Sequence, residues 1–580
     1  MKKSAFILII VTLLLLSFKK YNSGNDYIDL YSNRIGNFES KLKELQGVIN
    51  ARELTNAADI NKIRDEINSC RLELKGIDIW LRYLEPISYK RINGPLPVEW
   101  ETEVFEKFEK PYKREGAGLT LASLYLDEEK KHKDSLSKLI NYSLIAIQTY
   151  KQDSITKYLK TFDHFYLCNR LFLLNLATIY TTGFECPETD NVIKELESML
   201  LSVGKIYSSY NLSFPNKPLP NSYLNSYERC INFVKAQSKD FEVFDHFSFV
   251  KDHINPLFSI NQQLINEYQV KSNSYVDYSL TKEASSIFSK QLFVGQNTKG
   301  IFQNIKDEKV LGEIERIGKL LFYDPILSGN NLRSCVSCHA PSHFFTDTIQ
   351  SAALQFDKKE SLQRNTPSLL NSTFNHLIMH DGLHFNLQDQ AKAVITSSVE
   401  MGSTEKDVVE KVMSCEEYKT IFEGLLKYTP QEKTVTIDHI ASALTLYYGK
   451  FSMFESPFDI AMNNKKETSI SAKKGYNLFM SKAQCATCHF APQFNGVKPP
   501  YVGSEFEVLG VPKDTNYKAL SDDKGRYFIN PAKETANAFR TGTVRNADKT
   551  KPYMHNGVFK TMSQLINFYD GGGGTGRGLN

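Results

Sequence analysis

Two short strings carry the clearest chemistry in this sequence: Cys335-Val-Ser-Cys338-His339 and Cys485-Ala-Thr-Cys488-His489. Two thiols separated by two residues can reach the two vinyl groups of one porphyrin, and the next residue then lies under the iron. Its imidazole becomes an axial ligand. Each string is therefore expected to hold one covalently bound haem c, attached through Cys335 and Cys338 or Cys485 and Cys488. His339 and His489 would be the iron ligands. A zinc site would need a second Cys or His pair at finger-like spacing, and none follows either string closely. A thioredoxin-like thiol pair would need a βαβ setting, whereas both strings stand among helices and loops.

The elements that must position these strings read as two contrasting halves. From about residue 27 to 290, helix follows helix. Ile35, Phe38, Leu42, Leu45 and Ile49 step by three and four, as do Ile63, Ile67, Cys70, Leu74, Ile77, Leu81 and Leu84, a run that Pro86 is expected to end. The stretch from Pro86 to Pro111 reads as a long connection. Further amphipathic segments cover roughly 119–159, 164–180 and 192–210, and this half shows no metal-ligand spacing, phosphate loop or nucleophile motif. From about Gln296 the punctuation changes to shorter helices among loops. Each haem string is preceded by a helix, ending in Lys319-Leu-Leu-Phe322 and Tyr476-Asn-Leu-Phe479, so a faint internal duplication is expected, with a helix within 435–454 linking its two parts. The expected fold is mainly α: a helical N-terminal domain over 21–295, then two cytochrome c-like haem domains over 296–450 and 451–580.

Lys2 and Lys3 precede an apolar run from Ala5 to Leu16, the pattern of a secretory signal and short for a membrane span. Residues 1–20 are thus a cleaved signal or an uncleaved anchor, and the protein is expected to be exported to the periplasm. The five cysteines outside the haem strings, Cys70, Cys168, Cys186, Cys230 and Cys415, are expected to be buried thiols. A formal net charge of +4 over 580 residues leaves no electrostatic footprint for nucleic acid.

Over roughly residues 310–580 the chain resembles the bacterial dihaem cytochrome c peroxidase and MauG family. The resemblance rests on Gly318-Lys-Leu-Leu-Phe-Tyr-Asp-Pro325 with Leu327-Ser-Gly329, Arg364-Asn-Thr-Pro367, Gln390-Ala391 with Val399-Glu-Met401, Ser456-Pro-Phe-Asp459, Leu509-Gly-Val511, Val544-Arg-Asn546 and Pro552-Tyr-Met-His-Asn-Gly557. It implies that the first string holds the peroxidatic haem, with Glu400 as general acid/base and Gln390 orienting peroxide. It further implies calcium held at Asn365, Thr550 and Pro552, oxygen positions that suit a hard cation. Hydrogen peroxide and a small exported electron donor such as a cytochrome c are the implied partners, and a homodimer is compatible with the family pattern. The alternatives are MauG-like oxidation of a protein side chain and non-catalytic electron carriage.

Three departures bear on that choice. No His lies between His343 and Arg364, where many family peroxidases place one that blocks the resting peroxidatic iron. His380 stands where the family has Trp before Asp-Gly, and both tryptophans of this chain, Trp80 and Trp100, lie in the other half. Counting from Pro-Tyr-x-His, the family's Met ligand to the second haem falls on Tyr569, the MauG-like arrangement, with Met554 and Met562 nearby. The resemblance also implies a further helix after the Gly571–Gly574 run, so the sequence to Asn580 reads as a truncated form.

Overall fold

Apolar stripes at helical spacing build the first half. A computed structural model of the chain describes residues 26–94, 117–272 and 274–579, and the backbone of 100–103. The expected signal or anchor over 1–20 lies outside these residues. Ile35, Phe38, Leu42, Leu45 and Ile49 share the buried side of a helix over Asp26–Ala51. The second stripe is two helices, where its periodicity suggests one. It breaks at Gly76, so Ala57–Lys75 and Asp78–Leu84 are separate helices. The run ends at Leu84, as expected before Pro86, and Pro86 also opens the next helix, Pro86–Asn93, because a proline at the first helical position forfeits no hydrogen bond. Among the described residues no helix is long and apolar enough to cross a membrane.

The chain divides into two compact units, and their boundaries differ from the expected ones. One contains the described residues of 1–94, 117–173 and 185–272. The other contains the described residues of 95–116, 174–184 and 273–580, so both haem strings share a single unit that begins before residue 296. Within the stretch expected as a connection, Pro86 to Pro111, lie the helix Pro86–Asn93 and strand β1 (Trp100–Glu103). The strand pairs antiparallel with β2 (Gly503–Glu507), which pairs in turn with β3 (Phe539–Arg540). Backbone pairing over such a distance in sequence leaves little local signature.

The first unit has a tyrosine-rich core and a buried ionic cluster that no motif announced. Arg71 meets Glu195 at 2.6 Å, while Lys75, Asp78, Arg82 and Glu185 interlink beside it. Three cations face three carboxylates, so the cluster balances its own charge. Cys70, Cys168, Cys186 and Cys230 are buried, as expected of structural thiols, and Cys415 is half-buried.

In the haem unit we number the helices that frame the site α1 (Glu308–Tyr323), α2 (Leu387–Thr396), α3 (Ile437–Tyr448), α4 (Ile470–Met480) and α5 (Met562–Asp570). The core of the first haem region joins Ile314, Ile317 and Leu321 of α1 to Ile440, Ala443 and Leu444 of α3. The two helices approach closely because α1 carries Gly318. A β-carbon there would stand 1.9 Å from the Ala443 carbonyl oxygen. Gly475 occupies the comparable place in α4, yet no atom lies within 4 Å of its would-be β-carbon. Ala472, Gly475, Tyr476 and Phe479 of α4 instead line a cavity of about 620 Å³. The duplication seen in sequence is therefore real in the helices that precede the haem strings and unequal in what packs on them.

Candidate active site

Both haem strings fold the same way. A short helical turn, Cys335–Ser337 or Cys485–Thr487, is closed by the amide of the histidine, which donates to the carbonyl of the first cysteine at 2.9 Å for His339 and 3.0 Å for His489. Each imidazole is then oriented from behind. His339 Nδ1 lies 3.0 Å from the Phe345 carbonyl, and His489 Nδ1 lies 3.1 Å from the Phe494 carbonyl. A carbonyl only accepts, so Nδ1 carries the proton and Nε2 presents its lone pair, the state an iron ligand needs. Burial lowers the pKa of both rings, which keeps them neutral. It also pushes the Cys335 thiol up to about 12, the reverse of what a thiolate metal site requires. No cluster of three or more His, Cys, Asp or Glu side chains converges on a metal position among the described residues. Neutral imidazoles beside protonated thiols fit covalent haem at both strings.

Glu400 sits in a tight turn after α2, and its neighbours fix it from several directions. The carbonyls of Val399, Glu400 and Met401 accept in succession from the Phe356 amide at 2.8 Å, Arg333 Nη1 at 2.9 Å and the Gly329 amide at 2.9 Å. Gly402 closes the turn with φ +63°, packed so closely on Phe356 that a β-carbon would lie 2.5 Å from its ring. Burial raises the pKa of the half-buried carboxyl, opposed by a hydrogen bond with Ser397 and by the charge of Arg333. Burial raises the Cys338 thiol, and against the charge of Arg333 the carboxylates of Asp347 and Glu400 add to that, so Glu400 lies within electrostatic reach of the first haem string. Gln390 stands near the start of α2, half-buried, ten residues before Glu400. Arg333 was not singled out by sequence reasoning. Its only signal there is a cation two residues before Cys335.

At the second string, Tyr569 projects from the end of α5. The residue is 44% exposed, and desolvation of its phenol end, then the charges of Cys488, Cys485 and Glu507, raise its pKa. Glu507, another residue without a sequence motif, has its carboxyl pushed up to about 7 by burial and by Glu505, against a hydrogen bond with Cys488. Tyr569 and Glu507 thus share the surroundings of Cys488, and Tyr569 is brought to the string that its position counted from Pro-Tyr-x-His implied.

Between the strings, Asn365 links several expected residues. Its amide donates to the His555 carbonyl at 2.6 Å, its side-chain nitrogen to the Ser351 carbonyl at 3.1 Å, and its own carbonyl lies 3.1 Å from His380 Nε2. Burial brings the His380 imidazole down to about 4, so it is neutral at physiological pH. The Asn365 side-chain oxygen and the carbonyls of Thr550 and Pro552 accept no hydrogen bond from the described residues. Oxygens of this kind suit a hard cation, which takes about six to eight of them.

Comparison with known proteins agrees with this chemistry. Residues 313–467 match the family described as di-haem cytochrome c peroxidase. The chain is 30% identical over 291 residues to cytochrome-c peroxidase IdrP1 of Pseudomonas sp. (strain SCT), covering 47% of this chain and 75% of that one. It is 31% identical over 264 residues to the cytochrome c551 peroxidase of Pseudomonas aeruginosa, covering 45% and 73%. It is also 31% identical over 260 residues to the methylamine utilization protein MauG of Methylorubrum extorquens, covering 44% and 68%. Paired haem strings, neutral proximal imidazoles and this likeness together make the chain an oxidoreductase of the dihaem cytochrome c peroxidase and MauG family.

Proposed function

We propose that the protein reduces hydrogen peroxide to water with electrons from a small exported donor, in the manner of the dihaem cytochrome c peroxidases. The observation that carries this reading is Glu400, a half-buried carboxyl held by its backbone and within electrostatic reach of the first haem string. Bound haem supplies the electrons and the iron at which peroxide is reduced. Consuming one peroxide takes two electrons and two protons and yields two waters, so a proton must move between oxygens as their bond breaks. Glu400 is suited to accept that proton on its carboxylate and return it to the departing oxygen, since burial draws its pKa toward the working range. Gln390, with donor and acceptor on one amide, would orient the peroxide. Asn365, Thr550 and Pro552 would hold calcium between the two haem regions, and export to the periplasm belongs to the same reading.

A second reading, MauG-like oxidation of a protein side chain, is favoured by Tyr569. A phenolate on the second iron favours the ferric state. The test is peroxide turnover with a reduced cytochrome c, in the wild type and in Glu400→Gln. The peroxidase reading expects turnover in the wild type and a drop of roughly 100-fold or more in the variant at unchanged haem content. Absence of turnover in the wild type, with peroxide consumed against a protein substrate, would favour the second reading.

A further inference from the structure

We infer that Arg333 is the positioning residue for Glu400, fixing the acid/base carboxyl relative to the first haem attachment; the inference rests on the peroxidase reading above. Arg333 is buried, two residues before Cys335, and forms no ion pair with a carboxylate among the described residues. Its guanidinium is spent on two backbone carbonyls from different parts of the chain. Nη1 donates to Glu400 at 2.9 Å and Nη2 to Gln355 at 2.8 Å. The Gln355 end matters because the next residue, Phe356, hydrogen-bonds Val399 and packs on Gly402. One side chain therefore braces the Glu400 turn both directly and through the segment behind it.

The segment that carries Arg333 is itself fixed. Its amide donates to Ser328 Oγ at 3.2 Å, and Lys411 Nζ donates to the Ser328 carbonyl at 2.8 Å. Because the haem string begins at Cys335, the brace transfers the position of the attachment to the turn that holds the carboxyl. Only arginine can do this. Its planar fork reaches two divergent carbonyls at once, whereas the single ammonium of a lysine cannot replace both bonds. The charge acts as well as the geometry. Glu400 is faced by Arg333 from the 328–333 loop, by Ser397 from its own turn and by Cys338 from the haem string, and Arg333 is the one cation among them. It favours the ionised carboxylate that must accept the first proton.

The test compares Arg333→Gln, Arg333→Lys, Glu400→Gln and the double variant Arg333→Gln/Glu400→Gln in the haem-loaded protein. Haem content is measured first, then the pre-steady-state rate of reaction of the reduced enzyme with peroxide across pH. Arg333→Gln is expected to keep both haems and slow the reaction by about 10- to 100-fold, the scale of a small displacement of a catalytic group. Its acid limb should move to higher pH, since loss of the cation makes Glu400 easier to protonate. Arg333→Lys should keep the acid limb near its wild-type position but still lose rate. The double variant should be no slower than Glu400→Gln, because both changes act through one carboxyl. If Glu400→Gln reacts at the wild-type rate, the peroxidase assignment of Glu400 fails. If Glu400→Gln is slow while both Arg333 variants keep the wild-type rate and acid limb, the inference about Arg333 is overturned. Loss of the first haem from both Arg333 variants would overturn it too, assigning the residue to haem attachment.

Discussion

Arg364 grips Asp523 with two parallel hydrogen bonds, Nε at 2.6 Å and Nη2 at 3.0 Å, and its third nitrogen reaches Asp381 at 2.5 Å. The pair spans 159 residues of sequence and is almost fully shielded at the Asp523 end. Burial raises the Asp523 carboxyl, but hydrogen bonds from Arg364 and the Gly525 amide outweigh it, and the net direction is down. A depressed carboxylate stabilises the fold above its unfolded pKa of about 4 and loses that contribution as pH falls through the lower folded value. Asp523→Ala is expected to cost about 3 kcal/mol by leaving Arg364 underpaired. The loss should be measurable by denaturant unfolding at pH 7 and should shrink in acid.

Converting Cys485 and Cys488 together to Ala should leave one covalent haem per chain, read from the intact mass under denaturing conditions. Electron delivery from the donor to the first haem should cease. Two covalent haems in that variant would refute the attachment assignment.

The two pre-string glycines should respond in opposite directions. Gly318→Ala drives a methyl group into the Ala443 carbonyl and is expected to destabilise by about 1–3 kcal/mol as α1 and α3 are forced apart. Gly475→Ala meets nothing within 4 Å and restores a side chain to a helix interior. It should stabilise by up to about 1 kcal/mol. Thermal unfolding of the two variants, side by side, checks both signs.

Tyr569 offers a spectroscopic prediction. If its phenolate completes the second iron, Tyr569→Met should raise that haem's reduction potential and Tyr569→Phe should alter its ferric spectrum. An unchanged ferric spectrum in Tyr569→Phe would move the ligand elsewhere.

Much of this site is legible in the sequence, because covalent haem attachment demands fixed residues at fixed spacing. The strings at 335–339 and 485–489, and the stripe from Ile35 to Ile49, record local geometry directly. Other features depend on what the chain meets far away. Pro86 stands between two helices, ending one and opening the next, while the break at Gly76 is hidden by the apolar stripe that runs through it. Residues 100–103 pair with residues some 400 positions later, and short strands of this kind leave no hydrophobic run. Arg333 looks like one more surface cation until its two carbonyl partners are seen. Family strings single out Glu400 without revealing the hydrogen bonds that hold its turn.

The carbonyls of Phe345 and Phe494 have an electronic consequence. A carboxylate behind a ligating imidazole pulls its proton and makes the ring a stronger donor; a neutral peptide oxygen does so far less. Both histidines rest on a neutral peptide oxygen at nearly the same length, and His489 has a second one from Gly542, so neither ring has a carboxylate behind it. Under the proposed reading, a division of labour between the two haems would rest on the opposite faces, where Glu400 and Gln390 would serve one and Tyr569 the other. Evolution could retune either haem from that side alone, leaving the attachment strings untouched.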